Sequence, residues 1–175
     1  MLKFDEQKRL DSVNGALALR GEIESIVDEI CKKGYKNICW LGIGGTYASC
    51  LQAEVHMKER SAINFYVENA AEYILTGNKN VGEGTIVVIS SVTGSTTEMV
   101  DGVKKAQDAG AKVIGFVDYS DTKLAKMVDY LISYPQNEQL KFFMASDRFM
   151  YNAGEFDEYH ELYAELDEHL ARALV

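Results

Sequence analysis

A short apolar run that stops in a loop rich in hydroxyl side chains is the feature that most restricts the fold of this chain. Four consecutive apolar residues, 86–89, are typical of a strand buried on both faces of a parallel sheet. Six of the eight residues in 90–97 carry a hydroxyl, and an apolar pattern at helical spacing follows them. The first N–H groups of a helix have no partner within it and carry the positive end of its dipole. One helix cap needs only one hydroxyl, so the excess predicts a phosphate pocket at the start of this helix.

A glycine-rich turn follows an earlier predicted strand. The turn contains Gly42, Gly44 and Gly45 and leads directly into a predicted helix. Because glycines let the backbone approach a ligand closely, this turn also favours an anion. A dinucleotide site is the alternative, since the turn begins like the G-x-G-x-x-G fingerprint and Glu68 follows the next predicted strand. Tyr47 stands at the third glycine position, which argues against that alternative.

Strands and helices alternate along the middle of the chain. Further strands are predicted at 64–67, 112–117 and 128–133, with a helix over 96–110 between them. This alternation is typical of an α/β fold with a doubly wound parallel sheet. Ligands of such sheets bind at the carboxyl ends of the strands, where the two loops are expected to face one another. We therefore expect one domain over 1–175, with N-terminal helices in 1–34, the α/β core in 35–134 and C-terminal helices in 135–175.

Helical segments flank the predicted core. Before Gly34, apolar residues recur every three or four positions, and Gly21 is predicted to separate two helices. After Pro135, the helical pattern continues to the C-terminus. The apolar side chains of this tail exceed what one small sheet readily covers, which predicts a homodimer or larger assembly; they include Phe149, Tyr159, Leu162, Leu166 and Leu170.

Charge and cysteine usage restrict the class of protein. The chain has 27 acidic and 18 basic residues, a net charge of −9, which opposes nucleic acid or an anionic membrane as a partner. The three cysteines have no metal-ligand spacing, and neither a signal peptide nor a membrane-spanning run is evident. These features predict a cytoplasmic protein with reduced thiols, no metal and no cofactor, in which local dipoles hold the phosphate.

The two loops resemble the signatures of a known family. Residues 91–96 are similar to the S-x-S-G-x-T signature of the sugar isomerase (SIS) family, with Thr93 in place of the second serine, and residues 44–46 resemble the first-loop signature. The resemblance implies the SIS fold and a sugar 6-phosphate ligand. It assigns binding of the phosphate or of the sugar to Gly44, Gly45, Thr46, Ser91, Thr93, Gly94 and Thr96.

The order of elements and the helical tail more narrowly resemble the N-terminal half of the fructosamine-6-phosphate deglycases. Those enzymes have two SIS domains in tandem, so the resemblance implies that this chain is the first of two. In the deglycases a catalytic glutamate and a histidine come from the second domain. The resemblance therefore implies that the main acid and base lie outside residues 1–175, and that this chain alone is inactive.

Two other functions remain open. Stand-alone aldose–ketose phosphosugar isomerases have a similar first loop and carry a catalytic glutamate on the following helix; in this sequence His56 falls at that position. His56 is accordingly a candidate base, with a structural histidine as the alternative. A non-catalytic phosphosugar-sensing module is the second possibility, and since the chain has no basic DNA-reading segment, such a sensor would need another chain.

Overall fold

A five-stranded parallel sheet forms the centre of the computed structural model, which describes residues 5–135 and 137–173. The strands lie in the order β2-β1-β3-β4-β5. They span Asn37–Gly42 (β1), Phe65–Asn69 (β2), Thr85–Ser91 (β3), Lys112–Val117 (β4) and Tyr130–Ile132 (β5). The predicted doubly wound parallel sheet is confirmed.

Eight helices surround this sheet within the described ranges. Their bounds are Glu6–Ala18 (α1), Arg20–Lys33 (α2), Gly45–Arg60 (α3), Ala70–Thr76 (α4), Thr97–Asp108 (α5), Lys123–Met127 (α6), Glu138–Asn152 (α7) and Tyr159–Ala173 (α8). None of the helices in this described part of the chain is both long enough and apolar enough to span a membrane.

Each face of the sheet packs against its own group of helices. In β1, Ile38 and Trp40 belong to one buried cluster with α2, α3 and α7, whereas Cys39 and Leu41 belong to another with α4, α5 and α6. Alternate residues of a strand point to opposite faces, so two covered faces require an unbroken apolar run. Because helices cover both faces of the sheet, a ligand can approach it among the loops at the carboxyl ends of the strands.

The order of the strands reverses at β1. This strand pairs in parallel with β2 on one side and with β3 on the other, and Leu41 lies opposite Ile89. The loops that follow β1 and β3 therefore leave the sheet side by side, at a topological switch point. The expectation that these two loops face one another is met.

The helical segments differ in detail from the predicted pattern. The break between α1 and α2 lies at Leu19, and Gly21 lies inside the first turn of α2, where a Cβ would meet no atom within 4 Å. A glycine in a first turn costs little, because the N–H groups there have no helical partner to lose. The prediction that Gly21 separates the helices was wrong. The C-terminal segment is two helices, and α4 is an element that the apolar pattern did not predict.

Most of the apolar tail packs inside the chain's own core. Phe149 and Tyr159 are buried members of one core cluster and Leu166 packs against that cluster, while Leu162 is 43% exposed; the side chain of Leu170 lies outside the described residues. The surface that predicted a homo-oligomer is thus smaller than the sequence pattern indicated. The assembly itself stays a prediction.

Candidate functional site

The loop between β3 and α5 is held against α6 through Gly94. This residue has a φ of 62°, and a Cβ built on it would lie 2.1 Å from Oγ1 of Thr122. Its carbonyl oxygen accepts a hydrogen bond of 2.9 Å from the N–H of Leu124. Only glycine combines this backbone conformation with so close an approach, so Gly94 shapes the loop through its backbone.

The hydroxyls of this loop divide into two groups. Ser91 is 4% exposed, and its Oγ accepts a hydrogen bond of 3.0 Å from the N–H of Gly94, which leaves its O–H proton to donate. Thr93 and Thr96 carry hydroxyls 3.3 Å apart. Thr96 precedes α5 as its N-cap residue, yet its side chain makes no capping hydrogen bond. The hydroxyls of Thr93 and Thr96 therefore remain for a ligand beside the unpaired N–H groups of the first turn.

The loop between β1 and α3 is closed by Thr46. Its Oγ1 accepts a hydrogen bond of 3.0 Å from the N–H of Ile43 and donates one of 2.9 Å to the carbonyl oxygen of the same residue. Gly44 has a φ of 57°, and a Cβ on either Gly44 or Gly45 would meet no atom within 4 Å. The hydroxyl of Thr46 thus fixes the turn, and the two glycines leave space beside it.

Both loops line a single cavity of about 140 Å³ at the switch point. Its lining residues are Ile43, Thr46, Ser90, Ser91, Val92, Thr93, Thr96 and Met99. Four of the seven predicted binding residues, Thr46, Ser91, Thr93 and Thr96, line this cavity directly. Gly44 and Gly94 belong to the two loops but do not line this cavity.

A second cavity of about 430 Å³ adjoins the first and shares Ile43, Thr46 and Val92 with it. The remaining residues of its lining are Gly45, Asp118, Asn137, Glu138 and Gln139. The seventh predicted residue, Gly45, belongs to this larger space. Together the cavities form one site with a small hydroxyl-lined end and a larger end that carries two carboxylates.

A polar cluster behind the larger cavity was not predicted from the sequence. The carboxylate of Glu138 accepts a hydrogen bond from Oγ of Ser49 and one of 2.7 Å from Oγ of Ser90. Both serines are buried, at 3% and 1% exposed. Asp118 could have been found from the sequence, because it directly follows β4 and ligands bind at the carboxyl ends of such strands. Glu138 carried no such signal, because it lies 48 residues from Ser90 in the chain.

The charges at this end of the site are partly balanced by Lys141. Its side chain is fully buried, with Nζ 2.8 Å from the carbonyl oxygen of Tyr134 and 4.0 Å from Oδ1 of Asp118. Burial raises the pKa of Asp118; the Lys141 charge opposes this rise and Glu138 adds to it. Burial also lowers the pKa of Lys141, against the pull of both carboxylates.

The candidate base His56 lies away from both cavities. It is eleven residues beyond the start of α3, about 16 Å along the helix axis. Its Nε2 is 2.5 Å from Oδ1 of Asp147, whose Oδ2 accepts a hydrogen bond of 2.7 Å from the hydroxyl of Tyr163. These contacts join α3, α7 and α8. They match the structural alternative for His56, and its catalytic role stays a prediction without support from this position.

The cysteines behave as core residues in the part of the chain that is described. Burial raises the pKa of Cys31 to about 11 and that of Cys50 to about 12, and it also raises the pKa of Cys39. Thiols with such raised pKa values stay protonated near neutral pH. No group of three or more His, Cys, Asp or Glu side chains suited to a metal ion occurs among the described residues.

Relatives of known name match part of the chain. The chain is 24% identical over 119 residues to the fructosamine deglycase of Bacillus subtilis, with 67% of this chain and 36% of the relative covered. It is 29% identical over 129 residues to the isomerizing glutamine–fructose-6-phosphate aminotransferase of Methanosarcina acetivorans, with 69% and 21% covered. The chain thus spans between about a fifth and somewhat more than a third of these relatives.

Solved structures share the fold. A candidate phosphosugar isomerase from Salmonella typhimurium superposes with a TM-score of 0.75 at 20% identity, with 85% of this chain and 49% of that chain covered. A candidate sugar-phosphate isomerase from Listeria monocytogenes superposes with a TM-score of 0.65 at 12% identity, with 94% and 98% covered.

A family model described as the SIS domain matches residues 33–147, well over half of the chain. The match runs from the end of α2 into α7, so it includes the whole sheet, both loops and the two cavities. The chain therefore belongs to the SIS domain family.

Proposed function

We propose that this chain is the phosphosugar-binding domain of a fructosamine-6-phosphate deglycase, which converts an Amadori-type sugar phosphate to glucose 6-phosphate and an amine. The observation that carries the proposal is the 140 Å³ cavity at the switch point, which is lined by both signature loops. Family membership and the similarity to a fructosamine deglycase support the same function.

In this proposal the phosphate occupies the small cavity. The hydroxyls of Thr93 and Thr96 donate to its oxygens, together with N–H groups from the first turn of α5. These donors carry no net charge. Local dipoles therefore hold the anion, although the chain as a whole has a net charge of −9. The sugar then extends past Thr46 into the cavity of about 430 Å³.

The reaction begins with proton transfer. A general base takes a proton from C1 of the ketoamine and an acid returns one to C2, while the nitrogen loses its proton and the C2 oxygen gains one, which gives the Schiff base of glucose 6-phosphate. Water adds to the C=N bond of this Schiff base, and its collapse releases glucose 6-phosphate and the free amine. We assign the main acid and base to a second domain, since the curated relatives are much longer than this chain.

A stand-alone aldose–ketose isomerase is the second candidate. The Listeria monocytogenes structure favours it, because that chain matches this one almost from end to end. A non-catalytic phosphosugar sensor has the same binding site, and turnover distinguishes it from both enzymes.

Calorimetric titration with glucose 6-phosphate, and with glucose as the control, tests the binding site. The proposal expects binding of the phosphorylated sugar only, and equal or absent binding of both would refute it. Turnover is then measured with a fructosamine 6-phosphate, for this chain and for one extended through any downstream domain. We expect glucose 6-phosphate release only from the longer chain. Equal rates from both would overturn the tandem arrangement.

A further inference from the structure

The Glu138 carboxylate is held in place from two directions. Glu138 is the first residue of α7, and its two oxygens accept hydrogen bonds from Ser49 on α3 and Ser90 on β3. Each serine is buried and directs its hydroxyl to this one carboxylate. Since a carboxylate has about four acceptor positions and the serines occupy two, further positions remain for a ligand.

The two carboxylates at this end of the site share one cation among the described residues. Lys141 lies 4.0 Å from Oδ1 of Asp118 and donates to the carbonyl oxygen of Tyr134, and its charge also acts on Glu138. Two carboxylates and one ammonium group leave one negative charge unbalanced, which a positively charged ligand group offsets.

Glu138 borders the cavity of the phosphate donors, because Ser90, which donates to its carboxylate, lines that smaller cavity. Glu138 itself lines the larger cavity with Asp118, and Thr46 lies on the boundary shared with the smaller one. A ligand that puts its phosphate beside Thr93 and Thr96 therefore extends toward two carboxylates. An ammonium group at that end forms a charge-assisted hydrogen bond, roughly twice as strong as the neutral bond of a hydroxyl.

We infer that Glu138 is a specificity-determining residue that binds the protonated amine of an aminated sugar phosphate and thereby selects it over the neutral sugar phosphate. The inference rests on the proposed function, because it takes the phosphate position as given. The competing explanation is structural: an acid in the first turn of a helix complements the dipole and here also links α7 to α3 and β3. That role predicts no preference between ligands.

Two ligands that differ only at C1, 1-amino-1-deoxyfructose 6-phosphate and fructose 6-phosphate, separate these explanations. Calorimetry on the unaltered chain is expected to give at least about tenfold tighter binding of the amine. In Glu138→Gln the two dissociation constants are expected to lie within about twofold of each other. The matched control is Glu98→Gln, which alters an acid in the first turn of α5 that lines neither cavity, and which should keep the preference.

Each outcome of these titrations supports or overturns the inference. Equal binding of both ligands by the unaltered chain, or a full preference in folded Glu138→Gln, overturns the inference and leaves the proposed function standing. Failure of both ligands to bind the unaltered chain overturns the proposed function itself. If Glu138→Gln does not fold, Glu138→Asp keeps the charge but withdraws it by about one bond length. The preference should then fall at least about threefold, and an unreduced preference contradicts the inference.

Discussion

The hydroxyl of Thr93 is the most direct test of the phosphate site. Thr93→Val nearly preserves the shape of the side chain and removes the hydroxyl that lies 3.3 Å from the hydroxyl of Thr96. A hydrogen bond to a charged group contributes about 1.5–3 kcal/mol, so affinity for glucose 6-phosphate should fall by about 10- to 150-fold. The side chain is exposed, and its recorded bond within the loop is a long one of 3.4 Å from the N–H of Ser95. The free energy of unfolding should therefore change by less than about 0.5 kcal/mol.

The assay is calorimetry with glucose 6-phosphate, together with urea denaturation of each variant. Ser95→Ala is the matched control, because it removes an exposed hydroxyl from the same loop that lines neither cavity. Ser95→Ala should bind like the unaltered chain. Affinity of Thr93→Val within about twofold of the unaltered chain, or an equal loss in both variants, would refute the argument that Thr93 contacts the phosphate.

Three further predictions concern stability and assembly. Gly94→Ala should lower the free energy of unfolding by about 2–4 kcal/mol in urea denaturation, since its Cβ meets Thr122 in a left-handed backbone conformation, whereas Gly21→Ala should not destabilise the chain. Hydrogen bonds from Arg148 lower the pKa of Asp28 below its usual 3.8, so the stability that this pair contributes is present above that pH and is lost as the pH falls through the lowered pKa. In Asp28→Asn the free energy of unfolding should depend less steeply on pH in this acidic range, and an unchanged dependence would contradict the prediction. Light scattering at micromolar concentration should give a mass above one chain, and a strictly monomeric mass would count against the predicted assembly.

Local patterns were sufficient for the parts of the fold that depend on neighbours in the sequence. The apolar run at 86–89 lies within β3, which continues to Ser91, and the glycine turn begins where β1 ends, at Gly42. Such signals persist because burial on both faces demands continuous apolar side chains, and because a tight turn demands glycine. The break at Leu19 was missed for the opposite reason: it carries no glycine or proline, and its carbonyl and N–H groups are satisfied in an almost continuous helix.

By itself the sequence determined the doubly wound sheet, the two loops at the carboxyl ends of β1 and β3, and the hydroxyls available beside α5. Only the tertiary structure decided which distant side chains complete the site. Glu138 reaches Ser49 and Ser90 across 89 and 48 residues of chain, and His56 pairs with Asp147 across 91. Periodicity and turn chemistry act over a few residues, whereas these pairs exist because α7 packs across α3 and the end of β3. Sequence patterns could therefore not identify Glu138 as a site residue. The same packing of helices places His56 away from the cavities.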